Sequence, residues 1–75
     1  MTKQELLAYV ADVGETDAAE VATALGVPYA TSAMALLRLV RQHLASRLCD
    51  PDRGLYAYWL TEAGYARLAF FEDEE

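Results

Sequence analysis

The chain has 75 residues, a formal net charge of −6, 55% hydrophobic residues, one cysteine and one histidine. This length predicts one domain, and the apolar content argues against disorder. A single cysteine cannot form an internal disulfide, and one cysteine with one histidine is too few for a structural zinc site. We therefore expect no cofactor. No apolar run approaches the roughly 18 residues of a membrane span and no secretory signal is evident, so we expect no membrane contact and a cytoplasmic location.

The charges are unevenly distributed along the chain. Residues 28–67 contain five arginines and three acidic residues, a net charge of +2, whereas residues 1–27 and residues 68–75 each have a net charge of −4. An overall negative charge disfavours nucleic acid as a partner, because phosphates attract basic surfaces. The concentration of every arginine in the middle segment nevertheless indicates that this segment carries a function.

Two amphipathic helices are predicted at the beginning of the chain. Thr2 is followed by Glu5, which is the spacing of a capping box, and apolar residues then recur at helical spacing as far as Val13. Asp17 and Glu20 repeat this spacing before a second, shorter helix that ends at the glycine of "TALG". The prediction is two short helices joined by a glycine-containing connection.

The longest helical pattern is "TSAMALLRLVRQHLASRL". Thr31 or Ser32 can cap its first turn, so we predict a helix over about residues 31–46. The residues that fall on its solvent face are Thr31, Met34, Ala35, Arg38, Arg41, Gln42 and Ala45. All the predicted elements contribute to one hydrophobic core. Its expected residues are Leu6, Leu7, Val10, Val21, Leu25, Ala33, Leu36, Leu37, Val40, Leu44, Leu60 and Leu68.

A β-hairpin is predicted over about residues 48–60. "DPDRG" is rich in turn formers, "RLC" gives the first strand, and the aromatic run "LYAYWL" suits the second. Because strand side chains alternate, only one of Tyr58 and Trp59 can point into the core. Cys49 is expected to be a small buried hydrophobic residue.

A final helix is predicted after the hairpin. Thr61 is a suitable N-cap, and Gly64 lacks a side chain in the first turn, which would let the helix lie close to the hairpin. The acidic residues 72–75 are expected to fray, because negative charge is unfavourable at a helix C-terminus. We therefore predict a domain over residues 1–71 and an acidic tail over residues 72–75.

The order helix, helix, turn, longer helix, hairpin, helix is that of a winged helix-turn-helix. "DAAEVATALGV", "LLRLVRQHLASRL", "DPDRG" and "YWLTEAGYARL" resemble the winged helix-turn-helix domains of bacterial and archaeal transcriptional regulators, the MarR-like group especially. The group shows a characteristic pattern at its final strand and the helix that follows. The residues of this chain that match that pattern are Tyr58, Leu60, Thr61, Gly64 and Leu68. The resemblance implies a mainly α fold with a small β-hairpin: a three-helix core, a wing and a C-terminal helix. The turn before the third helix is predicted to be one residue longer than is usual in the group.

The resemblance implies a small DNA-binding transcriptional regulator, in which the third helix enters the major groove and the wing lies near the DNA backbone. Thr31 and Ser32 would donate to phosphate, Arg38 would contact a guanine edge, and Arg41 would contact phosphate. Arg53, at the tip of the wing, is placed for a backbone contact. The competing interpretation of these arginines is an ordinary solvated surface paired with nearby acidic residues.

A protein–protein interaction module without DNA binding is the alternative function. The aromatic residues of the hairpin and last helix cannot all be buried, and exposed aromatic residues are enriched at interfaces. The partner would be another protein or a second copy in a homodimer formed through the terminal helices. Enzymatic activity is not expected, because His43 has no evident catalytic partner in the sequence.

Overall fold

The fold consists of three helices, a two-stranded antiparallel hairpin and a fourth helix, in a computed structural model that describes residues 1–73. The elements are α1 (Lys3–Val13), α2 (Ala18–Leu25), α3 (Tyr29–Arg41), β1 (Ala45–Asp50), β2 (Leu55–Leu60) and α4 (Glu62–Asp73). This is the predicted winged helix-turn-helix, with α2 and α3 as its helix pair and β1–β2 as its wing. Among residues 1–73, no single helix is long and apolar enough to cross a membrane, and α2 with α3 meets that test only as a pair bent by 116°.

Both predicted N-caps of the first two helices are confirmed. The Thr2 hydroxyl accepts a hydrogen bond from the Glu5 amide at 3.1 Å, and the Asp17 carboxylate accepts one from the Glu20 amide at 2.8 Å. Gly26 ends α2 in the left-handed conformation (φ 66°, ψ 40°), as the sequence predicts. These local signals were readable because each depends on residues that are close in the chain.

The predicted start of α3 was wrong. The helix begins at Tyr29 with Pro28 as its N-cap residue, and neither Thr31 nor Ser32 caps it; the Ser32 amide already bonds to the Pro28 carbonyl at 3.1 Å. The φ of Pro28, −60°, is fixed by its ring and is compatible with the residue before the first helical turn, but proline carries no hydroxyl that would mark it as a cap in the sequence. Only residues 26–28 separate α2 from α3, so the predicted longer turn is also wrong.

The predicted end of α3 was wrong as well. The helix ends at Arg41, and His43 adopts a left-handed backbone conformation with φ 62°. The Leu44 amide bonds to the Leu39 carbonyl at 2.9 Å and the His43 amide to the Val40 carbonyl at 3.0 Å, which is a Schellman motif. The chain turns there, so the wing begins at Ala45 instead of residue 48.

The wing is joined to the helices by a third extended segment. Thr16 pairs with Tyr58 through two backbone hydrogen bonds, of 2.9 and 2.7 Å, on the side of β2 away from β1. The Tyr58 side chain is 5% exposed and the Trp59 side chain is 36% exposed. The prediction that only one of them points into the core is confirmed, and the inward residue is Tyr58.

The core lies where the four helices and the base of the wing meet. Eight of the twelve predicted core residues are buried there, and Leu25, Ala33 and Val40 pack against it partly buried. Leu37 is outside this cluster, and Leu39 takes its place because the buried side of α3 runs through Ser32, Leu36 and Leu39. The buried residues are Leu6, Leu7, Val10, Ala18, Val21, Leu36, Leu39, Leu44, Ala45, Tyr58, Leu60 and Leu68.

The predicted N-cap of α4 is confirmed, and α4 lies close to the base of the hairpin, as predicted. The Thr61 hydroxyl accepts a hydrogen bond from the Gly64 amide at 3.1 Å and donates one to the His43 carbonyl at 2.7 Å. A Cβ atom at Gly64 would overlap the Leu44 carbonyl oxygen, which explains the glycine. The helix continues to Asp73, so the first two residues of the predicted acidic tail are helical, and residues 74–75 lie outside the described residues.

Candidate nucleic-acid interface

The orientation of α3 is fixed by one buried hydroxyl and two buried leucines. Ser32 is fully buried, and its hydroxyl contacts the Ala18 carbonyl of α2 at 2.6 Å and the Tyr29 carbonyl at 2.9 Å. Leu36 and Leu39 continue the same side of the helix into the core. The opposite side of α3 is therefore held towards solvent.

The solvent side of α3 carries three of the five predicted DNA contacts. Thr31, Arg38 and Arg41 are all exposed. Within the part of the chain that the structure describes, the single ion pair joins Arg53 to Asp17, so neither Arg38 nor Arg41 is paired with a carboxylate. The competing interpretation was that these arginines pair with nearby acidic residues on an ordinary solvated surface. Arg38 and Arg41 do not form such pairs in the described structure.

Ser32 does not belong to this surface, which corrects its predicted role as a phosphate donor. Its side chain has no exposed area, and its hydroxyl is committed to two backbone carbonyls. The error follows from the misplaced helix start: as a cap, Ser32 would have been at the exposed end of the helix, but one turn inside α3 it faces α2.

The wing tip places Arg53 against an acidic residue. The Arg53 guanidinium donates to one oxygen of Asp17 at 3.1 Å, while the other oxygen of that carboxylate caps α2. The Arg53 side chain remains 60% exposed. Glu15, Glu20 and Asp50 line the same groove, so negative charge surrounds this arginine and opposes the approach of a phosphate.

The strands of the wing expose further side chains that the sequence did not place correctly. Cys49 is exposed, against the prediction of a buried residue, because the hairpin extends beyond the core at that point. Arg47 lies with its guanidinium carbon 4.1 Å from the centre of the Tyr56 ring, which is a cation–π contact. Arg47 and Tyr56 therefore stabilise each other on one side of the wing.

Lys3 is a cationic residue near α3 that sequence reasoning missed. Lys3, Thr31, Arg38 and Gln42 all line a groove of about 320 Å³ between the N-terminal end of α1 and α3. No local pattern could have revealed this, because 34 residues lie between Lys3 and Arg38 in the chain and only the packing of the helices brings them to one groove.

Other kinds of site have little support in the described residues. Among the described side chains, no group of three histidine, cysteine, aspartate or glutamate residues is placed to hold a metal ion. Several large apolar side chains are exposed instead. The most exposed aromatic residues outside α3 and the wing are Tyr65 and Phe70 of α4, at 48% and 56%.

Solved structures with the same fold are winged-helix regulators. The transcriptional regulator SlyA matches with a TM-score of 0.84 over 96% of this chain, at 22% identity. FabT of Streptococcus pneumoniae, solved in complex with DNA, matches with a TM-score of 0.83 over 95% of the chain, at 17% identity. A MarR variant from E. coli, solved with operator DNA, matches with a TM-score of 0.81 over 89% of the chain, at 22% identity.

The chain spans about half the length of these proteins, covering 51% of SlyA, 50% of FabT and 49% of the MarR variant. No protein-family model matches the sequence, and no curated protein matches it. At such identities the similarity establishes the architecture: the chain has the winged helix-turn-helix fold of MarR-type transcriptional regulators.

Proposed function

We propose that this chain is a DNA-binding domain of a transcriptional regulator, with α3 in the major groove and the wing beside the DNA backbone. The observation that carries the proposal is the exposed side of α3, where two arginines have no carboxylate partner among residues 1–72. The DNA complexes of FabT and the MarR variant support it, because their folds match this chain closely. A regulator of this kind acts in the compartment that holds the DNA, in keeping with the expected cytoplasmic location.

The proposed contacts are Thr31, Arg38 and Arg41 from α3. Arg53 joins them only when a phosphate replaces Asp17 as its partner, an exchange that costs the ion pair but uses a side chain that is already 60% exposed. Ser32 is removed from the set because it is fully buried.

The proposal predicts weak, salt-dependent binding to a random-sequence duplex. Fluorescence anisotropy should show binding at about 50 mM salt and weaker binding at about 200 mM, because each phosphate contact releases counterions. Arg41→Gln should lower the affinity on the order of tenfold at the lower salt and flatten the slope of log K against log salt by about one.

Arg67→Gln is the matched control, because it makes the same change in charge at an exposed position of α4. Its affinity should fall by a smaller factor than that of Arg41→Gln, because Arg67 is on α4 and outside the side of α3 that is proposed to contact the DNA. Equal losses for Arg41→Gln and Arg67→Gln, or no binding by the unmodified protein at either salt, would contradict the proposal.

We also propose a homodimer, in which a second copy covers the exposed aromatic residues of α4. Tyr65 and Phe70 are largely exposed, and two copies would present two α3 helices to adjacent half-sites of a DNA duplex. Sedimentation velocity measures the oligomeric state directly. An interaction module without DNA binding would use these side chains together with the exposed Tyr56 and Trp59 of the wing. A homodimer of a DNA-binding domain accounts for the α4 side chains equally well.

A further inference from the structure

The charged side chains that line the groove between α1 and α3 are positive. Two cationic side chains line it, Lys3 from α1 and Arg38 from α3, and its polar lining includes Thr31 and Gln42. None of the described residues that line it is acidic, although the whole chain has a net charge of −6. The groove that contains Arg53 differs sharply, because four carboxylates line it.

The position of Arg38 around the helix axis also differs from that of the other exposed residues of α3. With 3.6 residues per turn, Thr31, Arg38 and Gln42 lie along one side of the helix, the side that lines the groove with α1. Met34 and Arg41 lie on a neighbouring side, nearly opposite the buried residues of α3. Arg38 is therefore turned towards α1, away from the direction in which α3 faces solvent most directly.

Neither cation of the groove is paired with a carboxylate among the side chains that the structure describes. The one ion pair of the described chain is that of Arg53 with Asp17, and Glu5 of α1, although near Lys3 in the chain, is not part of the groove lining. Two unpaired cations near one another repel, and an anion between them would remove that repulsion. A lysine supplies a point charge and an arginine supplies a planar pair of donors, and both suit a phosphate.

We propose that Lys3 and Arg38 together bind one phosphodiester group of the DNA backbone in the groove between α1 and α3. This inference rests on the proposed DNA-binding function and assigns Arg38 a different role within it: Arg38 contacts phosphate and fixes the position of α3 on the duplex, instead of contacting a guanine edge. Thr31 lies in the same groove and can donate its hydroxyl to the same phosphate. Phosphate contacts set register and orientation, whereas base contacts set sequence preference.

The first test compares the affinity of Lys3→Gln, Arg38→Gln and the double variant for a duplex over a range of salt concentrations, with Arg67→Gln as the control for charge. Each single variant should lose affinity on the order of tenfold at about 50 mM salt, and the double variant should flatten the slope by about one in total, because the two cations share one phosphate. The double variant should lose less than the product of the two single losses, because residues that share a partner are not additive. Thermal unfolding of each variant checks that the fold is retained.

The second test distinguishes a phosphate from a base as the partner of Arg38. Across a panel of duplexes of different sequence, Arg38→Gln should weaken binding by the same factor for each duplex. A loss confined to duplexes with guanine at one position would overturn the assignment of Arg38 to phosphate.

The outcomes separate this inference from the function on which it rests. If the unmodified protein binds DNA and Lys3→Gln binds with the same affinity, the two-cation site is overturned and the DNA-binding function stays in place. No binding by the unmodified protein at about 50 mM salt would overturn both.

Discussion

Single residues determine how α4 joins the rest of the molecule. Thr61 caps α4 and also holds the His43 carbonyl, and Gly64 leaves the space that the Leu44 carbonyl fills. The sequence predicted the roles of Thr61 and Gly64, because a threonine followed by a glycine at this spacing is a local pattern. It did not predict His43, because left-handed helix ends are usually glycine or asparagine and a histidine gives no such signal.

Gly64→Ala should destabilise the protein, because the added methyl group would overlap the Leu44 carbonyl oxygen and would lie 3.2 Å from the Leu60 Cβ atom. We expect a loss of about 1–3 kcal/mol in the free energy of unfolding, the usual cost of overpacking. Helix propensity alone predicts the opposite sign, a gain of about 1 kcal/mol. Urea unfolding followed by circular dichroism measures the difference.

Ala66→Gly, at an exposed position of the same helix, is the control and should cost about 0.5–1 kcal/mol through backbone entropy alone. If Gly64→Ala were as stable as the unmodified protein or more so, the close approach of α4 to the end of α3 would not exist in solution.

At the level of secondary structure, the placement of α3 decides which side chains can contact DNA. Its helical character was predictable from the apolar spacing, but both of its ends were misplaced. Pro28 starts the helix and His43 ends it, and neither is the residue type that sequence rules assign to those positions. The shifted start moved Ser32 from the expected cap into the contact with α2.

Thr31 and Ser32 should therefore respond in opposite ways to substitution. Ser32→Ala removes a buried hydroxyl bonded to Ala18, so it should lower the free energy of unfolding by about 1–2 kcal/mol and leave the DNA affinity of the folded protein unchanged. Thr31→Ala, at an exposed position, should have little effect on stability and should weaken DNA binding.

Urea unfolding and fluorescence anisotropy of the two variants check this pair of expectations, with neighbouring residues serving as each other's control. A loss of DNA affinity in Ser32→Ala at a temperature where it is fully folded would restore Ser32 to the contact surface and contradict the buried position of its side chain.

For the whole molecule, the fold was predictable and the charge arrangement was only partly so. Capping residues, apolar spacing and turn formers are local features, and they determined the element order. Contacts between residues far apart in the chain were not readable: Arg53 binds Asp17, and Lys3 shares a groove with Arg38. The concentration of five arginines was visible in the sequence, but their separate environments were not: Arg53 is paired with Asp17 at the wing, and Arg38 and Arg41 of α3 have no carboxylate partner among the described side chains.

The most direct test of the central claim is an amide chemical-shift titration of the protein with a random-sequence duplex at about 50 and about 200 mM salt. DNA binding through α3 predicts shifts at Lys3, over residues 29–41 and at the wing tip, over residues 50–55, that shrink at the higher salt. Residues of α4 should change little. Shifts confined to α4, or no shifts at either salt, would contradict the claim that this winged helix binds DNA.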